Sequence, residues 1–143
     1  MTTVAQILKS KPDQTVHKIS PDASVLDALK LMAEKNIGAL LVAEGEKIVG
    51  IVTERDYARK VILMSRSSKE ARVREIMSSQ VIYVRPDQTS EECMALMTNN
   101  RLRHLPVMDN GKVIGLASIG DLVKDVISEQ KFIIRQLEQY ITG

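Results

Sequence analysis

The chain has 143 residues, with 20 Lys and Arg against 18 Asp and Glu, a formal charge of +2 and 44% hydrophobic residues. This balance excludes a disordered chain and predicts one compact domain or two very small ones. Because a charge this small offers little of the field that a phosphate backbone requires, we expect no nucleic-acid partner. No apolar run approaches the roughly 18 residues of a membrane span, and the opening MTTVAQILKSK lacks the features of a signal peptide.

Side chains that carry out chemistry are scarce. The single cysteine, Cys93, cannot form an internal disulfide, which favours a reducing cytoplasm. One cysteine and two histidines, His17 and His104, do not supply a Cys/His zinc site. The catalytic patterns HExxH, GxSxG and GxxxxGK[ST] do not occur in the sequence. We therefore expect a protein that is not an enzyme and that needs neither a metal nor a catalytic cofactor.

An internal repeat organises the chain. Residues 16–62 align with residues 81–127 at a constant offset of 65 without a gap, with 12 identities in 47 positions. An ungapped match of this kind indicates a tandem duplication. In chain order we predict a lead-in with a short helix (1–15), repeat one (16–63), a linker with a second short helix (64–80), repeat two (81–127) and an amphipathic tail helix (128–143).

Both repeats have the same predicted order, β-α-β-β-α. The spacings Ser24-x-x-Asp27 and Thr89-x-x-Glu92 resemble capping boxes, so a helix should begin at each. Two short apolar runs follow each helix and are separated by a turn, which is Asn-Gly in repeat two and therefore typical of a hairpin. Since one repeat is too small to bury its faces alone, we expect the two copies to pack together.

Each hairpin ends in one pattern: Gly, an apolar residue, any residue, Ser or Thr, two further residues and Asp. It extends over Gly50–Asp56 and Gly115–Asp121. A helix start suits phosphate because its N–H groups are free, and a carboxylate accepts hydrogen bonds from vicinal ribose hydroxyls. The same spacing is also an ordinary capping box. The residues alone leave helix capping and nucleotide binding both open.

The ordered set of motifs resembles a tandem pair of CBS domains, the modules named after cystathionine β-synthase. The resemblance rests on the Pro-Asp-x-Ser/Thr helix starts, the strand Leu105-Pro106-Val107 and the two Gly-to-Asp patterns, and it covers residues 4–127. It implies an α/β fold in which the two repeats pack through their sheets into one pseudo-twofold module with two clefts. Such clefts commonly bind AMP, ADP, ATP, NAD or S-adenosylmethionine.

The resemblance also implies which residues would hold the ligand. Asp56 and Asp121 would bind the ribose hydroxyls, with Thr53 and Ser118 beside ribose and phosphate. The phosphate candidates are Arg103, His104 and Arg55. The adenine pocket would be formed by Ile37, Gly38, Ala39, Ile51, Leu102 and Leu116. In this family the adenine usually slots between the repeats, so Ile37–Ala39 would face the Ser118/Asp121 cleft and Leu102–His104 the Thr53/Asp56 cleft.

The two copies are not equivalent. Repeat two has Arg103 and His104 where repeat one has Gly38 and Ala39, and repeat one lacks the strand proline that the family implies. We therefore expect unequal occupancy of the clefts. Cys93 aligns with an alanine on the apolar helix face, which predicts a packing role.

These expectations lead to a stand-alone sensor of adenine nucleotides that signals by repacking, to a partner protein or within a homodimer. The alternative is a structural or protein-interaction module with unoccupied clefts. The two terminal helices are either contact surfaces or elements that fold back on their own repeat.

Overall fold

Local sequence signals set the helix and strand boundaries. The first half contains α1 (Val4–Ser10), β1 (Lys18–Ile19), α2 (Val25–Lys35), β2 (Ala39–Glu44), β3 (Lys47–Thr53), α3 (Glu54–Tyr57) and a π-helical turn (Ala58–Ile62). The second half contains α4 (Val73–Ile76), α5 (Ser90–Asn100), β4 (His104–Asp109), β5 (Lys112–Ser118) and α6 (Ile119–Thr142). This computed structural model describes residues 2–142, so Met1 and Gly143, the outermost residues of the predicted lead-in and tail, lie outside the described residues.

The predicted helix starts are confirmed. Ser24 accepts a hydrogen bond from the Asp27 N–H at 3.1 Å, and Thr89 accepts one from the Glu92 N–H at 3.2 Å. Both helices end at equivalent residues with φ 55°, Asn36 and Arg101. Each repeat thus uses the same local signals to begin and end its first helix.

Both hairpins form as predicted. β2 pairs with β3 and β4 with β5, all antiparallel, with an irregularity at the same place in each repeat. In repeat two the turn places Asn110 at φ 51° and Gly111 at φ 78°. Because both backbone angles are left-handed, an Asn-Gly pair suits this turn better than larger side chains would.

The first strand differs between the repeats. β1 runs parallel to β2 and completes a three-stranded sheet. In repeat two the predicted strand is reduced to one bridge, between Val84 and Val107. Proline explains the difference: the Leu41 N–H donates to His17 O at 3.2 Å, whereas Pro106, the residue aligned with Leu41, has no N–H to donate.

The chain divides into two compact units that do not follow chain order. One consists of residues 16–81, and the other of residues 1–15 together with 82–143. The core of the first contains Val73 and Ile76 from α4. The core of the second contains Val4 and Ile7 from α1. Each repeat therefore takes its lead-in helix from the segment that precedes the other repeat in the sequence.

The first glycine of each Gly-to-Asp pattern permits this packing. A Cβ on Gly50 would lie 2.7 Å from Ser78 O, and one on Gly115 would lie 2.7 Å from Leu8 Cδ2. Ser78 and Leu8 belong to the two lead-in segments. The glycines are thus explained by the close approach of a lead-in to the hairpin.

Among residues 2–142, no helix has the length and apolar character needed to cross a membrane.

Candidate functional site

The candidate site of repeat one lies where β3 ends and α3 begins. The Asp56 N–H donates to Thr53 Oγ1 at 3.2 Å, and the Thr53 N–H donates to Asp56 Oδ2 at 2.9 Å. The Thr53 hydroxyl donates to the same Oδ2 at 3.1 Å. The two side chains therefore satisfy each other's backbone at the helix start, as a capping box does.

The junction between β5 and α6 repeats this geometry. The Ser118 N–H donates to Asp121 Oδ2 at 2.9 Å, and the Asp121 N–H donates to Ser118 Oγ at 3.2 Å. Helix capping, one of the two roles that the spacing left open, is thus present in both repeats. It does not exhaust either carboxylate, because an ionised carboxylate offers about four lone-pair positions.

A lysine lies beside each of these aspartates, and neither lysine was among the site residues predicted from the sequence. Lys60 Nζ lies 3.3 Å from Asp56 Oδ1 and donates to Ile76 O at 2.8 Å. Lys11 Nζ lies 3.1 Å from Asp121 Oδ2 and donates to Leu116 O at 2.7 Å. Both sites therefore combine a hydroxyl, a carboxylate and an ammonium group.

The two lysines have different origins. Lys60 follows Asp56 by four residues on the same helical segment, so helical spacing would have been enough to find it. In repeat two that position is Asp125, and the ammonium group comes instead from the chain just after α1. No local signal links Lys11 to Asp121, since the pair exists only because α1 packs against repeat two.

Burial and charge perturb the site of repeat two. Burial would raise the pKa of Asp121, but the hydrogen bond from the Ser118 backbone and the Lys11 ammonium hold that pKa below its ordinary value. Burial, with the positive charges of Lys11 and Arg103, lowers the pKa of His104 to about 4, although Asp121 opposes this shift. The imidazole is therefore neutral at pH 7 and able both to donate and to accept a hydrogen bond.

The segments that precede β2 and β4 lie beside the site of their own repeat. Ala39 pairs with Thr53 and His104 with Ser118 in the strand register. The Glu54 N–H donates to Gly38 O at 3.1 Å, and the Ile119 N–H donates to Arg103 O at 2.8 Å. The assignment of these segments to clefts served by the other repeat stays a prediction.

The remaining predicted site residues differ in exposure. Those that are half-buried are Ile37, Ile51, Arg55, Leu102 and Leu116, while Arg103 is exposed. Ile51 exchanges backbone hydrogen bonds with Ser78, at 3.0 and 2.9 Å.

Cys93 is buried in the core, where burial and the neighbouring Glu92 raise the pKa of its thiol. No cluster of three or more metal-binding side chains occurs among the described residues.

The family model of the CBS domain matches the chain twice, over residues 4–63 and 73–128. The chain therefore belongs to the CBS-domain family and consists of a CBS-domain pair. Its fold class, a mixed α/β structure with two CBS repeats, is the predicted one.

Known relatives extend over most of the chain. The mitochondrial CBS domain-containing protein CBSX3 of Arabidopsis thaliana is 41% identical over 150 residues, covering 99% of this chain and 73% of the relative. A solved CBS-domain protein of Burkholderia ambifaria MC40-6 is 65% identical, with a TM-score of 0.88, over 90% of this chain and 96% of that one.

Two further structures add a ligand and an assembly. The CBS domain pair of protein MJ0100, solved with 5′-methylthioadenosine and S-adenosyl-L-methionine, is 27% identical with a TM-score of 0.76, over 90% of this chain and 98% of that one. A hexameric CBS-CP12 protein from bloom-forming cyanobacteria is 32% identical with a TM-score of 0.76, over 86% of this chain and 70% of that one.

Proposed function

We propose that this CBS-domain pair is a regulatory module that binds an adenine nucleotide of the AMP, ADP, ATP or NAD class. The observation that carries the proposal is the recurrence of a hydroxyl, a carboxylate and an ammonium group at the strand-to-helix junction of both repeats. Binding of adenosine-containing ligands by the MJ0100 domain pair supports it.

The proposed roles follow the chemistry of each group. Asp56 and Asp121 accept from ribose hydroxyls, and Thr53 and Ser118 lie beside ribose and phosphate. The basic side chains Arg103 and Arg55, with neutral His104, contact phosphate oxygens. The adenine lies against Ile37, Gly38, Ala39, Ile51, Leu102 and Leu116. None of these roles forms or breaks a bond, so the module binds and is not an enzyme.

A signal requires that the ligand favour one arrangement of the protein over another, because equal affinity for both shifts nothing. We propose that the protein is a homodimer in the cytoplasm. Nucleotide occupancy would favour one packing of the two copies, or one contact with a regulated protein, over another. The hexameric CBS-CP12 protein supports self-association. The alternative, an interaction module with empty clefts, is favoured by the exposed apolar side chains of α6.

Calorimetry with AMP, ADP, ATP and NAD tests the proposal, with Asp121→Asn as the diagnostic variant. Asparagine keeps the shape and can still accept from the Ser118 N–H, but it removes the charge that the ribose hydroxyls would meet. We expect a loss of affinity of about 10- to 150-fold, since a hydrogen bond to a charged group contributes about 1.5–3 kcal/mol.

The matched control is Asp109→Asn, which makes the same change at an exposed residue at the far end of β4. It should bind like the unmodified protein. Equal affinity in Asp121→Asn, Asp56→Asn and the control would refute the ribose assignment. The absence of any calorimetric or thermal response at millimolar nucleotide would favour the interaction module instead.

A further inference from the structure

In repeat two, two donors address the same oxygen of the motif aspartate. The Ser118 N–H donates to Asp121 Oδ2 at 2.9 Å, and Lys11 Nζ lies 3.1 Å from that same oxygen. The ammonium group also donates to Leu116 O at 2.7 Å, and the Lys11 side chain is only 25% exposed. Because an ionised carboxylate offers about four lone-pair positions, a ribose hydroxyl can donate to the other oxygen, Oδ1, while these contacts stay in place.

In repeat one, the donors are divided between the two oxygens of the aspartate. The backbone N–H and the hydroxyl of Thr53 both donate to Asp56 Oδ2. Lys60 Nζ lies 3.3 Å from Oδ1. A ribose hydroxyl at Asp56 must therefore share Oδ1 with the ammonium group or displace it. Asp121 accepts a ribose hydroxyl at a lower cost in existing contacts than Asp56 does.

The Lys11 ammonium also changes what the Asp121 junction offers to an anion. A phosphate group carries about two negative charges at neutral pH, so an ionised carboxylate that holds the ribose repels the phosphate of the same ligand. Asp125 follows one turn later on α6, and side chains at this spacing lie on the same helix face. Lys11 compensates the charge of Asp121, which keeps its capacity to accept hydrogen bonds and loses most of its repulsion.

The positive charge of Lys11 extends to a residue that the proposed function assigns to phosphate. Burial lowers the pKa of His104, and the charge of Lys11 lowers it further. The imidazole and the ammonium group therefore share one electrostatic environment. Both belong to the compact unit of residues 1–15 and 82–143, so this arrangement does not depend on the other unit.

We infer that Lys11 makes the Asp121 junction the preferred nucleotide site of the protein and selects adenosine ligands that carry a phosphate. The inference rests on the proposed function and names the residue that sets the class of ligand. Lys11 acts through the negative charge that it compensates, and Leu116 O holds it in place for that role. An adenosine derivative without a phosphate gains nothing from the ammonium group.

Calorimetry of Lys11→Met with AMP and with adenosine tests the selection. The two ligands share the base and the ribose and differ by the phosphate. Methionine retains most of the unbranched apolar stem of lysine and removes its charge. We expect the affinity for AMP to fall by about tenfold and that for adenosine to change by less than about threefold. The adenosine affinity also reports whether the variant site is intact.

Two variants serve as controls. Lys11→Arg keeps the positive charge and should retain the preference for AMP over adenosine. Lys9→Met removes a lysine from an exposed position two residues earlier in the same lead-in. It should bind both ligands like the unmodified protein.

The preference between the two junctions has its own comparison. Asp121→Asn should weaken the tightest binding of AMP, whereas Asp56→Asn should leave that binding nearly unchanged. An equal or larger loss in Asp56→Asn overturns the inference.

The outcomes separate this inference from the proposed function. A preference for AMP that survives in Lys11→Met overturns the inference. An equal fall in both affinities overturns it as well, because Lys11 would then only hold the structure, and so does a rise in both, because Lys11 would then compete with the ribose. These results leave the proposed binding of an adenine nucleotide in place. Failure of the unmodified protein to bind AMP at millimolar concentration overturns the proposed function itself.

Discussion

At the scale of single residues, each motif aspartate has one oxygen in a capping box and an ammonium group within 3.3 Å. The pairing in repeat two is more buried, since the side chain of Lys11 is 25% exposed and that of Lys60 is 46% exposed. His104 adjoins only the site of repeat two, because the aligned residue of repeat one is Ala39. The sites therefore share their backbone geometry and differ in their electrostatics.

The low pKa of His104 predicts a pH-dependent stability. The unfolded chain takes up a proton near pH 6.5, whereas the folded protein does so only near pH 4. The free energy of unfolding therefore has its full value above pH 6.5, where the imidazole is neutral in both states. It decreases by about 2 to 3 kcal/mol as the pH falls to 4. Urea denaturation at several pH values should show this loss in the unmodified protein and a flatter profile in His104→Gln.

The variant His17→Gln, which removes the other histidine of the chain, is the control. A pH dependence that persists in His104→Gln and disappears in His17→Gln would contradict the assignment. The Asp121 carboxyl does not account for the same pH dependence, because its pKa is lowered in the folded protein. Its contribution to the free energy of unfolding is lost only below its ordinary pKa of 3.8.

At the scale of elements, the helix starts and hairpins were predictable because their signals are local. Ser24 and Thr89 cap their helices through residues three positions away. The reduced first strand of repeat two was not predicted, although Pro106 stood in the sequence. The missing N–H of Pro106 has an effect only because the segment around Val84 runs parallel to β4, and that pairing is tertiary rather than local.

The glycines of the two junctions predict unequal costs of substitution. Gly50→Ala should lower the free energy of unfolding by about 2 to 3 kcal/mol, because its methyl group meets the backbone oxygen of Ser78. Gly115→Ala should lower it by about 1 kcal/mol, because the Leu8 side chain can rotate away. Urea denaturation measures both.

A second substitution distinguishes the two causes. Leu8→Ala should relieve most of the additional cost of Gly115→Ala. A Cβ on Gly50 would also lie 2.8 Å from Met77 Sδ, but Met77→Ala should not relieve Gly50→Ala, since Ser78 O remains in place. Equal costs for the two glycine variants would contradict this account of the close approach.

At the scale of the whole molecule, each lead-in helix packs on the repeat that it does not directly precede in the sequence. α1 contributes Val4 and Ile7 to the core that contains β4 and β5. α4 contributes Val73 and Ile76 to the core that contains β2 and β3. The stability of each repeat therefore depends on a segment that a domain boundary drawn along the sequence assigns elsewhere.

Amide hydrogen exchange tests which repeat each lead-in helix stabilises. Ile7→Ala should cost about 2 to 4 kcal/mol and reduce amide protection mainly in residues 104–118. Ile76→Ala, the matched change in α4, should reduce protection mainly in residues 39–53. The reverse pattern would show that each lead-in packs on the repeat that follows it.

The sequence by itself determined the duplication, the helix starts, the hairpins and the composition of both Gly-to-Asp junctions. These features depend on residues within a few positions of one another, or on the comparison of one repeat with the other. Only the tertiary structure decided which lead-in joins which core, why Gly50 and Gly115 are glycines, and that Lys11 meets Asp121. Those contacts join segments far apart in the chain, and side-chain packing rather than local backbone preference selects them.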